Sequence, residues 1–361
     1  MPYSLHIVRR IDWLLFLSVG FLCGLSLMAL WSLDLARNPD FLNFKKQLIF
    51  ISVGFAAAFA MAIFDYRALR SMVRLLYVGG LILLAAVLIF GTTIRGTRGW
   101  FVFSDLTLQP VEIAKVILTI ALARFLSVRA HVVDLKVLGG AVLLGIGYAG
   151  LTILQPDLGS AFVLLSLVAG LLFLTLIPWR YILGFFSVFI IMGVLAWTFF
   201  FKDYQKARLV SLINPRQDPL GQGYNIRQSI IAVGAGRILG RGLGEGSQSQ
   251  LRFLPEAQTD FVFAVLAEQF GFLVVTLILM AYGLIIWRLT ILARRANDGF
   301  ALFCIAGFFI ILAVQVTLNV GMNLGLLPIV GLSLPFLSYG GSAILSNFLF
   351  LGIVQSIKVR I

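Results

Sequence analysis

Leu254-Pro255-Glu256-Ala257-Gln258-Thr259-Asp260-Phe261 closes the only long polar segment of this sequence, and an apolar run of membrane-spanning length begins at its last residues. Carboxylates at such a boundary cap a helix, bind an ion or do chemistry, and the stretch alone leaves all three open. Outward from it, the chain is apolar almost throughout. Hydrophobic residues make up 60% and charged residues 12%, whereas soluble domains sit near half apolar and a quarter charged. Runs of about 17 to 25 apolar residues read as transmembrane helices. They fall at 12–33, 47–64, 72–90, 110–128, 137–154, 158–177, 181–201, 260–287, 300–323 and 341–357. Gln155-Pro156-Asp157 separates the fifth and sixth runs and Pro178-Trp179-Arg180 the sixth and seventh. Proline breaks a helix there by removing a backbone donor. The expected fold is all-α and polytopic: ten transmembrane helices in one domain, 1–361, with a long loop, 202–259, between the seventh and eighth.

The net charge of +13 does not point to nucleic acid. Most Lys and Arg lie at the ends of apolar runs, where they set orientation, and no aromatic-basic binding segment accompanies them. Arg9, Arg10, Arg67, Arg70, Arg74, Arg124, Arg129, Lys136, Arg180, Arg288, Arg294, Arg295, Lys358 and Arg360 fall on one side. Arg37, Lys45, Lys46, Arg95 and Arg98 fall on the other. The imbalance predicts both termini inside and the 202–259 loop extracytoplasmic. The first apolar run lacks a small-residue cleavage site and is expected to remain as a signal anchor. Cys23 and Cys304 lie inside apolar runs, and His6 and His131 lie far apart in polar flanks. No disulfide framework or histidine metal centre is expected.

Within the long loop, Ile226, Ile230 and Val233 recur at helical spacing and predict a short surface helix over 224–233. The glycine-rich run Gly234 to Gly246 follows, carrying Arg237 and Arg241. It neither follows a strand nor opens a βαβ unit, so it is no nucleotide loop. We read it as mobile backbone bringing cations beside a site.

On this topology the unusual residues gather on the extracytoplasmic side. Arg95, Arg98, Trp100, Gln109 and Glu112 flank the third and fourth spans, and Lys115 shares a helix face with Glu112. Gln155 and Asp157 occupy the next outer turn, Asp260 opens the eighth span, and Asn319, Asn323 and Ser338-Tyr339-Gly340 surround the last two. Glu112 and Lys115 read either as a neutralised buried pair or as substrate contacts. Asp157 taken alone reads first as an N-cap, and Thr259 or Asp260 can cap as well. Guanidinium forks at Arg95, Arg98, Arg208, Arg227, Arg237 and Arg241 match phosphate oxygens. A carboxylate kept ionised at a helix N-terminus suits a general base. The residues alone fit either a lipid-phosphate transferase or a transporter of an anionic lipid.

Several motifs, in order along nearly the whole chain, resemble those of the SEDS family (RodA, FtsW, SpoVE). They are Gln109-Pro110-x-Glu112-x-x-Lys115, Gln155-Pro156-Asp157-x-Gly159, Gly223-Tyr224-Asn225-x-x-Gln228-Ser229, Pro255-Glu256-x-x-Thr259-Asp260-Phe261 and Asn319 through Leu327-Pro328 to Ser338-Tyr339-Gly340-Gly341-Ser342. The short N-terminus and the absence of a tail beyond Ile361 look more like RodA. The resemblance implies a peptidoglycan glycosyltransferase in the bacterial cytoplasmic membrane that polymerises lipid II, with Asp260 as base, inversion at the sugar, and no organic cofactor. It implies substrate contacts from Arg95, Arg98, Trp100, Glu112, Lys115, Gln155, Asp157, Arg208, Tyr224, Gln228, Ser338, Tyr339 and Gly340. Glu256 would serve either as support for Asp260 or as ligand to a divalent cation, Mg or Mn. The partners implied are lipid II with the growing glycan, a class B penicillin-binding protein and other elongation or division machinery. Three departures stand out: Gln258 replaces a common His, Val111 a common Ser, and Lys206 a common second arginine.

Overall fold

The computed structural model describes residues 10–37, 40–104, 106–129, 135–175 and 221–361, with a few isolated positions between 178 and 198. The chain is a helical, polytopic membrane protein. Its helices are α1 (Trp13–Arg37), α2 (Leu42–Ile63), α3 (Tyr66–Phe90), α4 (Pro110–Arg129), α5 (Leu135–Leu154), α6 (Leu158–Phe173), α7 (Gln222–Ala235), α8 (Ser247–Gln250), α9 (Val262–Arg294), α10 (Gly299–Asn323) and α11 (Gly341–Arg360). Nine of the ten expected spans are therefore helices among the described residues. Seven, α1, α2, α3, α5, α9, α10 and α11, are long and apolar enough to cross a membrane. α6 is shorter, and α4 carries Glu112, Lys115, Arg124 and Arg129. The expected span at 181–201, its turn at 178–180, Arg208, Lys206, His6 and His131 lie wholly or mostly outside the described residues.

Small residues let these helices approach closely, as packing within a bilayer favours. A Cβ on Gly54 of α2 would meet the Phe348 ring of α11 at 2.2 Å, and one on Gly352 of α11 would lie 3.0 Å from Ala58 of α2. Gly307 of α10 accepts Thr119 of α4 in the same way. At the bundle end that holds the α2–α3 and α9–α10 connections, Arg288 donates to buried Asp12 at 2.6 and 2.9 Å, and Gln355 Nε2 donates to the Asp12 carbonyl at 3.0 Å. A buried charge persists only when paired and hydrogen-bonded, and this one is.

The connection between α3 and α4 is not irregular loop but a three-stranded antiparallel sheet, an addition to the all-helical expectation. Strands β1 (Thr92–Ile94), β2 (Thr97–Phe103) and β3 (Leu106–Leu108) pair in that order. Ile94 faces Thr97 across a two-residue turn, Arg95-Gly96. Both turn residues have positive φ, 53° and 82°, the requirement of a hairpin turn whose twist matches its strands.

Helix α9 is broken at Gly271, whose φ of 73° and ψ of −169° are non-helical. The glycine-rich run crosses the break. The N–H groups of Phe272 and Leu273 donate to the carbonyls of Arg237 and Ile238 at 2.9 and 3.2 Å. In return, the N–H groups of Arg241 and Gly242 donate to the carbonyls of Glu268 and Gln269 at 2.9 and 3.0 Å. This corrects the expectation of mobile backbone. The glycines are there for close approach: a Cβ on Gly236 would lie 1.8 Å from the Ala267 carbonyl oxygen, and one on Gly240 2.1 Å from that of Gln269. The predicted surface helix exists as α7. Its Ile226 and Ala232 pack with Leu254, Ala257, Phe261, Ala264 and Val265, so it braces the turn before α9.

Candidate active site

Asp260 lies in a tight turn two residues before α9 begins. The N–H groups of Thr259, Asp260 and Phe261 all point at the Glu256 carbonyl, at 3.1, 3.2 and 3.3 Å. Three consecutive carbonyls of this turn are then held from outside it. Gln258 accepts from the Tyr339 N–H at 2.8 Å, and Thr259 accepts from the Ser338 hydroxyl at 2.5 Å. Asp260 accepts from Asn319 Nδ2 and Asn323 Nδ2, both at 3.1 Å. Asn319 and Asn323, one turn apart on α10, are fully buried. Asn319 also donates to the Leu332 carbonyl at 2.8 Å. The sequence placed both asparagines near the site; their grip on the aspartate backbone is what the structure adds.

Capping divides the two outer aspartates. Phe261, at the N-cap position of α9, supplies no side-chain cap. Instead Asn323 Oδ1 accepts the Ala264 N–H at 3.2 Å, satisfying a first-turn donor from a distant helix. Asp157 does cap α6. Its Oδ1 accepts the Ser160 N–H at 3.0 Å, and its Oδ2 takes the Ser160 hydroxyl at 2.7 Å and Gln109 Nε2 at 3.3 Å.

These elements enclose a cavity of about 120 Å³ lined by Arg95 and Trp100 from the hairpin, Gln109 from the start of α4, Asp157 from the α5–α6 turn, Asp260, and Gly331. A Cβ at Gly331 would lie 3.8 Å from Asp260 Oδ2, and its φ of 68° suits glycine. The Arg95 guanidinium forms an ion pair with Glu256, which ties the hairpin tip to the aspartate turn. Burial pushes the Asp157 carboxyl above the usual carboxylate range. The Ser160 bonds and Lys115 pull the other way, and Glu112 adds to the rise.

The remaining expected site residues are placed otherwise. Arg98 is outside the cavity lining; its guanidinium donates to the Gly91 and Ile89 carbonyls at 3.2 and 2.8 Å, satisfying the open C-terminal end of α3. Gln155 is buried and donates to the Leu84 carbonyl of α3 at 3.1 Å. Glu112 and Lys115 are both buried and joined at 2.8 Å, with the Ser346 hydroxyl donating to Glu112 Oε2 at 3.2 Å. Ser338 and Tyr339 hold the backbone of the aspartate turn, and the Gly340 N–H donates to Gln47 Oε1 at 3.4 Å. Tyr224 and Gln228 sit on α7, away from the lining residues.

Sequence reasoning passed over Thr97 and took Gly331 only as a motif residue; both line the cavity. It also passed over Glu268, fully buried within α9, whose carboxylate accepts the N–H groups of Gln248 and Ser249 at 2.8 and 3.0 Å. Glu268 thus anchors the segment before the aspartate turn. Among the described residues, no three His, Cys, Asp or Glu side chains gather as a metal-holding set. Glu256 faces the Arg95 guanidinium.

The chain matches the family model FTSW_RODA_SPOVE, described as "Cell cycle protein", over residues 7–360. It is 37% identical over 336 residues to the peptidoglycan glycosyltransferase MrdB of Escherichia coli K12, covering 93% of this chain and 90% of that protein. To stage V sporulation protein E of Bacillus subtilis it is 35% identical over 355 residues, covering 96% and 94%. Among solved structures it resembles a chain from a peptidoglycan synthase complex, with TM-score 0.81, 33% identity, and 96% and 97% coverage. It also resembles the rod shape determining protein RodA of Thermus thermophilus, with TM-score 0.71, 31% identity, and 96% coverage of each chain. With its aspartate turn, hairpin and cavity in one arrangement and these matches running nearly end to end, this chain belongs to the FtsW/RodA/SpoVE family of SEDS proteins.

Proposed function

We propose that this chain is a peptidoglycan glycosyltransferase that polymerises lipid II at the outer face of the bacterial cytoplasmic membrane. Both termini face the cytoplasm, the role is in cell-wall elongation, and a class B penicillin-binding protein is the cross-linking partner. The observation that carries the reading is the shared cavity of Asp260, Arg95 and Trp100. A carboxylate, a guanidinium fork and a flat ring are the groups that a sugar linked to a pyrophosphate needs. The activity printed for the Escherichia coli relative supports the reaction class.

In the reaction, Asp260 takes the proton from the GlcNAc 4-hydroxyl of the acceptor as that oxygen attacks the anomeric carbon of the donor MurNAc. The new C–O bond forms opposite the breaking bond to phosphate, so the α linkage becomes β and undecaprenyl pyrophosphate departs. Arg95 offers paired N–H donors to the phosphate charge that develops. The clamped carbonyls of residues 258–260 hold the base without relying on substrate, which is what orientation requires.

Purified chain, alone and with its partner, tests this with labelled lipid II. Since a positioned base contributes about 10²- to 10⁴-fold, Asp260→Asn should lose at least about 10²-fold in strand synthesis while keeping its thermal midpoint. Full polymerisation by that variant removes the mechanism. Translocation of lipid II across vesicles without any polymer favours the transporter reading instead.

A further inference from the structure

Arg95 is the only cationic side chain among the described residues that line the cavity, and two carboxylates, Asp157 and Asp260, line it as well. With its guanidinium paired to Glu256, the cavity has no uncommitted positive charge from its described lining to receive an anion. The pair is nevertheless built to exchange. Its side chains are 52% and 34% exposed, and such ion pairs contribute little net stability because water competes for both partners. Both residues also occupy left-handed backbone, φ 53° at Arg95 and 51° at Glu256. Neither is a glycine, an asparagine or an aspartate, the residues that adopt this conformation readily. Strain of this kind gathers at functional sites, and here it sits at both ends of one contact.

The geometry points to Glu256 as an intramolecular competitor for Arg95: its carboxylate holds the guanidinium until a lipid-linked pyrophosphate enters the cavity and displaces it. This rests on the substrate class assigned above and adds a specificity-setting role for a residue that touches the phosphate-binding arginine. A phosphate group takes Arg95 by the same forked geometry that a carboxylate uses, with more charge, so displacement needs no rearrangement of the fold. Glu256 is also the pivot of the catalytic turn, its carbonyl accepting the N–H groups of residues 259–261. Exchange at its side chain therefore happens next to Asp260 without breaking the turn that holds it.

The test is binding of farnesyl pyrophosphate, measured by isothermal titration on the full chain in nanodiscs, with thermal midpoints recorded in parallel. Glu256→Gln should bind about three- to fivefold more tightly than the parent, the amount a half-exposed ion pair withholds. Glu256→Asn, which suits left-handed backbone, should also tighten binding and serves if the glutamine variant folds poorly. Arg95→Ala should weaken binding, and Arg95→Ala/Glu256→Gln should match Arg95→Ala. Unchanged or weaker binding by both Glu256 variants at preserved midpoints overturns the competitor role. So does equal tightening in the Arg95→Ala background, which would mean a general loss of negative charge. If the parent binds no farnesyl pyrophosphate at all, the pyrophosphate-substrate reading fails and the competitor role fails with it.

Discussion

Replacing Asn323 separates a helix cap from the base it steadies. The side chain is fully buried and makes five hydrogen bonds, one of them from Nδ2 to Asn319 Oδ1 at 3.2 Å. Its Nδ2 donates to the carbonyls of Asp260 at 3.1 Å and Asn319 at 2.8 Å. Its Oδ1 accepts the Ala264 N–H at 3.2 Å and the Ser229 hydroxyl at 3.4 Å. Asn323→Leu keeps most of the volume but orphans the buried Ala264 N–H, and it leaves the Asp260 carbonyl held by Asn319 Nδ2 alone. An orphaned buried donor costs about 1–3 kcal/mol, a range that already contains the roughly 1 kcal/mol of a lost helix cap. The Ser229 hydroxyl keeps its 2.8 Å bond to the Asn323 backbone, so that contact adds little. A loss of about 2 kcal/mol is expected from the one orphaned N–H, read as a lowered thermal midpoint in detergent. The activity loss should exceed what unfolding explains, because a misplacement of about 1 Å at a base costs up to about 10²-fold. Initial rates of lipid II polymerisation, taken well below the midpoint, should fall at least tenfold, mainly in kcat. Parental rates and an unchanged midpoint would refute both the distant cap and the clamp on Asp260.

Two further outcomes follow from other parts of the site. The folded-state carboxyl of Asp157 is raised above its ordinary value, chiefly by burial, so its contribution to stability is fully present below the unfolded pKa of about 3.9 and is lost as pH rises through the raised value. Asp157→Asn retains an oxygen for the Ser160 N–H, and thermal midpoints measured across acidic and neutral pH should lose that decline; an unchanged profile would show that Asp157 does not cause it. Gly271→Ala forces a side chain into left-handed backbone with its Cβ 2.5 Å from the Ile238 carbonyl oxygen and 2.3 Å from the Gly240 nitrogen. Left-handed backbone alone costs about 1–2 kcal/mol, and the clash adds to it, so a clear fall in midpoint is expected; parental stability would mean that the break in α9 is not required.

The helical frame was legible because a bilayer demands uninterrupted apolar runs and backbone bonds closed within each helix. Span ends were less so: α9 continues to Arg294, beyond the expected limit at 287, because its last turns remain apolar on their buried side through Leu289 and Leu292. The hairpin escaped notice since β1 and β3 have three residues each, too few for an alternating pattern to register. Asp260, Asp157, Arg95 and Trp100, which line one cavity, stood out in the sequence because polar groups are conspicuous in so apolar a chain. Arg98 and Gln155 shared that signal, yet they serve backbone carbonyls of α3, a use set by tertiary proximity alone. Glu268 gave the opposite case. A carboxylate within an apolar run looks like any isolated charge until the N–H groups of α8, about 20 residues earlier, come to meet it. The glycine run between 234 and 246 read as slack for the same reason, since its partner is a helix break that a uniformly apolar sequence conceals.

That break gives α9 a mechanical property beyond its role in packing. A continuous rod would carry any tilt or twist of its membrane-buried length straight to the end that bears the catalytic turn. At Gly271 the internal ladder is interrupted, and the bonds that would have continued it are made to residues 237–242 of a different segment. The short piece Val262 to Phe270 is therefore moored sideways to residues 237–242 as well as endwise to the rest of the helix. A tilt of the longer piece meets a joint before it reaches the aspartate turn, whereas force on residues 237–242 has a direct path to that turn.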